Sequence, residues 1–362
     1  MSTAKPIRLG LIGAGRIARM HLMQVGESLG TVELAAVCDI VESAAAERAQ
    51  QAGLSTQALY TDPSRMIREA SIDAVSICTT HDSHAPLAIE AAEAGKHVLV
   101  ENPMANTLEE CRAMIATAER AGVTLMVSQI QRFKPAHVAI RSMIEGGLFG
   151  EVRGGASHWQ QNIVRARGND AKKNWLLDGK ATGGGVLIAL GVHQIDTLRY
   201  WLGNVESVFA VNRVCDPAFV NGAEDYAMVT LTFKSGAVVQ LLNLYSLFAW
   251  PSDLRELGYF LSGASGTMVN ERVCFEAPAK GIVGDFTPAV DAALAHGMTA
   301  CDDPGATRMM HHFGICCREG KMPVCSGRDN LNTIKTVAAV YASAARGQPV
   351  ELAEIDAPAD AR

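Results

Sequence analysis

The sequence predicts an α/β protein with two domains, of which the first contains a parallel β-sheet and the second an open, mostly antiparallel one. The chain has 362 residues, which is enough for two domains with separate cores. Short apolar runs alternate with helical patterns in its first third, whereas strand-like runs joined by glycine and aspartate turns follow later. We therefore expect domains at 1–133 and 134–352, followed by a loose tail at 353–362.

Composition and charge narrow the class of protein. Hydrophobic residues make up 48% of the chain and charged residues 19%, as in ordinary globular proteins. The net charge is −6, so we expect no nucleic-acid partner. No apolar run approaches the ~20 residues that a membrane helix needs, and the N-terminal MSTAKPIRLG lacks the apolar segment of a signal peptide.

The nine cysteines are scattered, odd in number and without a C-x-x-C pair. This pattern fits reduced thiols better than a disulfide framework, and it predicts a cytoplasmic protein. His311 and His312 precede Cys316 and Cys317 closely enough to suggest a metal site. The surrounding pattern is more typical of a buried amphipathic helix, so we predict no metal.

The elements of the first domain follow one another in a βα order, which is typical of a parallel sheet with helices on both faces. The predicted strands cover residues 7–12, 32–38, 74–78, 97–100 and 124–127. The predicted helices cover a stretch that ends near residue 29, then 85–94 and 108–121.

A glycine-rich loop joins the first strand to the first helix. Its pattern is G-x-G-x-x-A, with Gly13, Gly15 and Ala18. Gly13 allows the turn, Gly15 allows the backbone to approach a pyrophosphate, and Ala18 allows close packing of helix on strand. The helix N-terminus, with Arg16 and Ile17, then presents backbone N–H groups to the anion. The alternative is a plain strand-to-helix turn.

An acidic residue supports a dinucleotide site of the Rossmann type. Asp39 ends the second predicted strand, 24 residues after Gly15. Its carboxylate is expected to accept hydrogen bonds from the adenosine ribose and to repel a 2′-phosphate. We therefore predict NAD rather than NADP, although Arg16 would weaken that preference.

The second domain shows strand-like alternation without intervening helices over several stretches, which indicates antiparallel pairing. These stretches are 152–163, 205–214, 226–233 and 237–247.

Several motifs, in order, resemble the glucose-fructose oxidoreductase, inositol dehydrogenase and rhizopine-catabolism (Gfo/Idh/MocA) family of oxidoreductases. The resemblance covers about residues 7 to 270. It implies a Rossmann domain, a C-terminal α/β domain with an open sheet, and a homodimer or homotetramer formed through that sheet. The motifs are IRLGLIGAGRIARMH (7–21), AVCDIVESAA (36–45), SICTTHDSHAPLAIEAAEAGKHVLVENPMA (76–105), MVSQIQRFKPA (126–136) and GGGVLIALGVHQIDTLRYWLG (183–203).

The resemblance also implies catalytic positions, and here the sequence departs from the family. Family members usually carry a lysine at the position of Asn102, and an aspartate and a histidine at those of Ala189 and His193. Asparagine donates a hydrogen bond but does not titrate near neutral pH. Asn102 and His193 are thus the catalytic candidates. The alternatives are that Asn102 is only a turn residue and that His193 is a buried interdomain histidine. Asp196 either faces His193 or ties elements together.

Further cofactor and substrate residues follow from the family pattern. Pro103 is expected to have a cis peptide bond because a sharp turn must end the strand, and Arg132 is expected to be structural. The pattern places these residues on the cofactor side: Thr79, Thr80, His84, Glu101, Asn102 and Gln129.

The substrate side is predicted to include Asn162, Trp175 and His193, and to accept a small molecule. The loop 162–175 carries four basic residues in an acidic chain, which suits an anionic substrate; a solvated surface loop is the alternative. His158 and Trp159 precede the loop, but on an alternating strand only one of them points into the site.

Three functions compete. The first is an NAD-dependent oxidoreductase acting on a secondary alcohol or ketone of a polar ring substrate such as a sugar, inositol, sugar acid or dihydrodiol. The second retains NAD through a reaction without net redox change, such as elimination, epimerisation or glycoside cleavage. The third is a non-catalytic NAD(H)-sensing protein.

Overall fold

The computed structural model describes residues 5–246, 255–270, 272–277, 282–285 and 307–356. The chain divides into two compact units, Met1–Phe133 with Asp303–Leu331, and Lys134–Asp302 with Asn332–Arg362. The return of Asp303–Leu331 to the first unit is a feature that no sequence pattern indicated. Cys301, which the cysteine argument included, lies outside the described residues.

The first unit contains a six-stranded parallel sheet in the order β3-β2-β1-β4-β5-β6. The chain reverses direction across the sheet between β3 and β4, so the carboxyl ends of β1 and β4 form the switch point where such folds bind ligands. Every strand predicted here exists, with ends that differ by at most one residue. The strands are β1 (Ile7–Ile12), β2 (Val32–Cys38), β3 (Leu59–Tyr60), β4 (Ala74–Ile77), β5 (His97–Val100) and β6 (Leu125–Val127).

The helices of this unit begin and end where local chemistry requires it. Thr107 and Glu110 form a reciprocal capping box at the start of the fifth helix, and Gly122 ends it in the left-handed conformation. The first helix ends at Gly26, earlier than predicted. The helices are α1 (Arg16–Gly26), α2 (Glu42–Gln51), α3 (Pro63–Glu69), α4 (His84–Glu93) and α5 (Leu108–Ala121).

The returning segment joins the core of the first unit. Helix α10 (Met309–Glu319) places Met310 and Phe313 in one buried cluster with Leu9 and Met126 of the sheet.

Arg132 also secures the returning segment, in line with its expected structural role. Its guanidinium is buried, donates to the Val324 carbonyl at 2.8 Å and lies 2.7 Å from an Asp329 carboxylate oxygen. A buried guanidinium is stable only with such partners.

The second unit contains a nine-stranded sheet in the order β14-β13-β12-β11-β7-β10-β9-β8-β15. All its pairs are antiparallel except β7 with β10, which are parallel. The strands are β7 (Val152–Gln161), β8 (Val205–Arg213), β9 (Tyr226–Phe233), β10 (Val238–Leu244), β11 (Arg255–Gly263), β12 (Gly266–Val269), β13 (Arg272–Ala277), β14 (Ile282–Asp285) and β15 (Val350–Glu351).

Two predicted strands of this sheet are shorter than expected by more than one residue, and β8 is shorter by one. Strand β7 stops at Gln161 because Asn162 caps a helix that begins at Ile163, and β10 stops at Leu244. The last predicted residue of the latter, 247, lies outside the described residues.

Helices of the second unit lie before β7, between β7 and β8, and at the end of the chain. They are α6 (Pro135–Glu145), α7 (Ile163–Arg167), α8 (Gly179–Thr182), α9 (Val192–Leu202), α11 (Gly327–Arg346), which begins in the first unit, and α12 (Leu352–Ile355). The expectation of a loose tail from residue 353 is wrong at its start, because α12 buries Ile355. Residues 357–362 lie outside the described part. No helix in the described ranges is long and apolar enough to cross a membrane.

Candidate active site

The glycine-rich loop has the geometry that a pyrophosphate requires. Gly13 has a φ of +89°, and a Cβ there would lie 2.6 Å from the Cys78 carbonyl oxygen. A Cβ on Gly15 would meet nothing within 4 Å, so the backbone is open to a ligand. Helix α1 starts at Arg16 without a side-chain cap or an acidic residue in its first turn. The uncapped N–H groups and the open backbone fit a bound dinucleotide.

Asp39 lies at the carboxyl end of β2 and braces this loop. One carboxylate oxygen accepts from the Ala14 N–H at 2.7 Å, and the other accepts from the Val41 N–H at 2.8 Å. Each oxygen has a second lone pair, so the carboxylate retains capacity for ribose hydroxyls. Ile40, the next residue, is 85% exposed and supplies no cation for a 2′-phosphate. These features fit NAD.

The turn after β4 contains the predicted residues Thr79 and Thr80. The Ser83 hydroxyl donates to the Thr79 hydroxyl at 2.7 Å, and the Thr80 hydroxyl donates to the Asp82 carboxylate at 2.6 Å. The threonines thus lie at the switch point and shape the turn that leads into His84 and α4.

The Glu101–Asn102–Pro103 turn follows β5, and its Asn102–Pro103 bond is cis, as expected. Glu101 accepts the Asn102 backbone N–H at 3.2 Å. The fully buried Gln129, after β6, donates its side-chain N–H to the Asn102 carboxamide oxygen at 2.9 Å. Three predicted residues, Glu101, Asn102 and Gln129, therefore meet at one edge of the sheet, and Gln129 orients the carboxamide of Asn102.

His21 is a candidate site residue that the sequence analysis did not single out, and Trp159 is one whose orientation it left open. His21 lies on α1 and hydrogen-bonds Glu101. The signal for it was a histidine on the apolar face of the helix that begins at the glycine loop. The Trp159 ring lies 5.5 Å from the His193 ring in the second unit, and its indole N–H has no hydrogen-bond partner among the described residues.

The segment that carries His193 is almost wholly buried. A π-helix (Leu187–Gly191) leads into α9, and such single turns are frequent at functional sites. Between residues 184 and 202 only Ala189, His193 and Tyr200 are partly exposed. Ala189 and His193 are one turn apart, so they form one accessible patch. This placement supports a substrate-facing role for His193.

Asp196 makes a structural contact between two helices. It is fully buried, and its carboxylate accepts from the Thr333 hydroxyl of α11 at 3.0 Å. It therefore ties α9 to α11, in agreement with the second of its two predicted roles.

The predicted substrate residues of the loop after β7 have local structural contacts. The side-chain oxygen of the buried Asn162 accepts from the Arg165 N–H at 2.8 Å and caps α7. Trp175 begins a short 3₁₀ turn and is half-buried. The nearby basic residues Arg165 and Lys172 are exposed. Substrate contacts of Asn162 and Trp175 stay predictions.

The histidine and cysteine pair considered for a metal has other contacts. His312 Nε2 accepts from the Val324 N–H at 3.1 Å, and His311 Nδ1 donates to the Ser28 carbonyl at 2.8 Å. No group of three or more potential metal ligands occurs within the part of the chain that the structure describes.

Glu224 anchors the glycine-rich start of the π-helix. Its buried carboxylate accepts from the N–H groups of Gly185 at 2.9 Å and Leu187 at 2.8 Å, and from the Tyr341 hydroxyl at 3.2 Å. A Cβ on Gly185 would lie 1.8 Å from the Glu224 carbonyl oxygen. Burial raises the pKa of Glu224 from 4.5 to about 7.

The raised pKa predicts that stability falls as pH rises. Between pH 4.5 and about 7 the folded protein holds a proton on Glu224 that the unfolded chain has lost. Each pKa unit is worth about 1.4 kcal/mol, so this group lowers the free energy of unfolding by up to about 3 kcal/mol across that window. We expect Glu224→Gln to abolish this slope in urea titrations at a series of pH values.

All four tryptophans lie in the second unit, so their fluorescence follows its unfolding. The control is Glu206→Gln, which removes an exposed carboxylate from β8 in the same unit. Parallel stability–pH curves for the wild type and Glu224→Gln would contradict the prediction.

A second prediction concerns cofactor choice. Asp39→Asn should weaken NADH binding by about tenfold or more, because a hydrogen bond to a charged group is worth about 1.5–3 kcal/mol. It should also narrow the preference over NADPH, because the charge opposing a 2′-phosphate is gone. Equilibrium titration with both nucleotides measures this. Glu42→Gln, the loss of a neighbouring exposed carboxylate, should leave the preference unchanged; equal effects of the two variants would refute the role of Asp39.

Comparison with known proteins adds to this geometry. Residues 7–129 match the family model described as oxidoreductase family, NAD-binding Rossmann fold, and residues 137–269 match that of the GFO/IDH/MocA C-terminal domain. The D-apiose dehydrogenase of Paraburkholderia graminis is 31% identical, in an alignment that covers 99% of this chain and 93% of that protein.

Two further proteins are similar to this chain over nearly its whole length. The NAD⁺-dependent scyllo-inositol 2-dehydrogenase of Bacillus subtilis is 27% identical, with 96% of each chain covered. The crystal structure of aldose-aldose oxidoreductase from Caulobacter crescentus, complexed with glycerol, is 25% identical, has a TM-score of 0.80, and is covered over 100% of its length and 96% of this chain.

Proposed function

Because the chain belongs to the GFO/IDH/MocA family of NAD-binding oxidoreductases, we propose that it oxidises a secondary alcohol, or reduces the corresponding ketone, on a polar ring substrate. Sugars, inositols, sugar acids and dihydrodiols are the candidate rings. The observation that carries the proposal is the accessible His193 at the start of α9, in a segment that is otherwise buried. Named relatives that act on apiose and scyllo-inositol support the ring class.

Each of these residues has its own role in the proposed reaction. When bound, NAD supplies the acceptor for the hydride, and NADH its donor. His193 accepts the hydroxyl proton during oxidation and returns it during reduction, a role suited to imidazole near neutral pH. Asn102 donates a hydrogen bond to the reacting oxygen, since its own oxygen is held by Gln129. Asp39 and the loop at Gly13 hold the adenosine ribose and pyrophosphate.

An anionic substrate is a narrower proposal for the same site. The exposed basic residues of the loop after β7, including Arg165 and Lys172, support it. The panel below therefore includes sugar acids beside neutral rings of the same size.

The test is turnover on a panel of polyols, inositols, aldoses, sugar acids and dihydrodiols, followed by NADH absorbance. His193→Asn should reduce kcat by roughly 10²–10⁴-fold, the usual contribution of acid–base catalysis. Asn102→Lys alone should not produce strong sugar dehydrogenase activity, because Ala189 still stands where the family has aspartate. Tyr200→Phe, on the same partly exposed side of the segment, is the control and should retain activity.

The competing functions give other results. Product formation without net NADH, together with nucleotide released only on denaturation, would indicate the internally recycled cofactor. NAD binding without turnover on the whole panel would indicate a sensor, and either result would overturn the proposal.

We also propose that the chain forms a homodimer or homotetramer through the second sheet. One face of that sheet carries apolar side chains that are 40–50% exposed, and paired strands bring them together: Val211 opposite Met228, and Phe260 opposite Val269. Contiguous exposed apolar patches of this kind mark interaction sites.

The prediction is that Met228→Glu dissociates the oligomer. A charge in the apolar centre of an interface would remain desolvated and unpaired, so light scattering after gel filtration should show a monomer. Met322→Glu places the same charge on an exposed methionine of the first unit and should not change the mass. A wild-type monomer, or an unchanged Met228→Glu oligomer, would refute the proposal.

A further inference from the structure

We propose that His21 and His84 are positioning residues that hold the Glu101–Asn102–Pro103 turn from its two flanks and thereby fix the carboxamide of Asn102 for the nicotinamide half of the cofactor. The inference rests on the cofactor-site role of Asn102 in the proposed function. Neither histidine is proposed to touch the reacting atoms.

His21 holds the Glu101 flank. It is buried on α1, with its Nε2 atom 2.5 Å from a Glu101 carboxylate oxygen and its Nδ1 atom 2.7 Å from the Ser76 hydroxyl of β4. The other Glu101 oxygen accepts the Asn102 backbone N–H at 3.2 Å. One carboxylate therefore links α1 to the backbone of Asn102.

His84 holds the Pro103 flank. It is fully buried at the start of α4, and its Nδ1–H donates to the Pro103 carbonyl at 2.8 Å. Its Nε2 atom has no hydrogen-bond partner among the described residues. Because a carbonyl only accepts, the proton of the neutral ring lies on Nδ1.

The pKa values of the two histidines are shifted in opposite directions. Burial disfavours the charged form of His21, but Cys78 and the hydrogen-bonded Glu101 outweigh it and raise the pKa of His21 well above its usual value. Burial alone raises the pKa of Glu101, but His21 outweighs it and the pKa is lowered. For His84, burial outweighs the opposing effects of the Pro103 carbonyl and the Glu101 carboxylate and lowers the pKa. The turn lies between a buried ion pair and a neutral imidazole.

This arrangement matters more with asparagine at 102 than it would with a charged residue. The interaction energy of an ammonium group with another charge falls off only as the inverse of distance, whereas a neutral hydrogen bond weakens steeply once its angle falls below about 120°. Gln129 fixes the rotation of the Asn102 carboxamide, whereas the backbone of the turn fixes the position of that carboxamide. Two anchors on the turn therefore supply the accuracy that an uncharged donor requires.

Paired amide substitutions test each contact. Asparagine reproduces the Nδ1 position of histidine and glutamine roughly its Nε2 position. His21→Gln should retain the bond to Glu101, and His21→Asn should lose it; His84→Asn should retain the bond to Pro103, and His84→Gln should lose it. The probes are NADH and ADP, since ADP lacks the nicotinamide and its ribose. Both titrations use the full chain and need no substrate.

We expect His21→Asn and His84→Gln to weaken NADH binding by about tenfold, because the carboxamide at the nicotinamide end of the cofactor is misplaced. ADP binding should weaken by less than about twofold, because ADP lacks that end. The variants that retain the contacts should bind both ligands as the wild type does. His311→Asn, which alters a buried histidine of the same unit on α10, should not change the NADH-to-ADP ratio. Parallel losses of NADH and ADP affinity, or equal behaviour of the paired amides, would overturn the inference.

A double-mutant cycle separates this inference from the role of Asn102. Asn102→Ala should weaken NADH binding. When Asn102 is already alanine, adding His21→Asn should cause no further loss of NADH affinity, because His21 acts through the turn. If Asn102→Ala leaves NADH affinity unchanged, the role of Asn102 fails and the inference fails with it. If Asn102→Ala weakens binding and the effect of His21→Asn persists unaltered, only the positioning role fails. A lack of turnover on the substrate panel would bear on neither result.

Discussion

The turn between β1 and α1 passes so close to the end of β4 that no side chain fits at Gly13. Its Cβ would press on the Cys78 carbonyl, and its φ is positive. This close approach sets the direction in which α1 leaves the sheet. Because α1 takes that direction, its N–H groups point at the anion site, and His21, further along the helix, reaches Ser76 and Glu101 at the ends of β4 and β5.

Several buried ionisable groups among the described residues are either paired with an opposite charge or neutralised by a raised pKa, and each of them holds a turn or loop. His21 and Glu101 remain charged because each supplies the other with a partner. Arg132 is paired with Asp329 and holds the returning segment on the first sheet. The hydrogen-bond donors to Glu224 are neutral, so burial raises its pKa to about 7. Glu224 therefore holds the start of the π-helix as a weak acid. Desolvation disfavours the charged form of each of these groups, so the presence or absence of an oppositely charged partner decides whether the group remains charged.

An uncharged residue at position 102, where the family resemblance predicts a lysine, shifts the balance from electrostatics to geometry. Around this residue the structure supplies Gln129 for the carboxamide and two histidines for the turn. In the second unit the helix with His193 is held by contacts of another kind: Glu224 at the preceding glycines and Asp196 to α11. The backbone that carries each candidate catalytic side chain is thus held in place by hydrogen bonds from buried polar groups.

The sequence by itself determined the class of fold, the parallel order of the first domain and the position of the dinucleotide loop. These rest on local periodicity, on glycine at positions that exclude a side chain, and on an acid at a strand end, all of which are visible along the chain. Only the tertiary structure decided the partners of buried polar groups. Asp196 accepts a hydrogen bond from Thr333, Asn162 became a helix cap, and residues 303–331 returned to the first unit. Such contacts join residues far apart in the chain, and a side chain selects among them by the space and the hydrogen-bonding groups that packing brings to it.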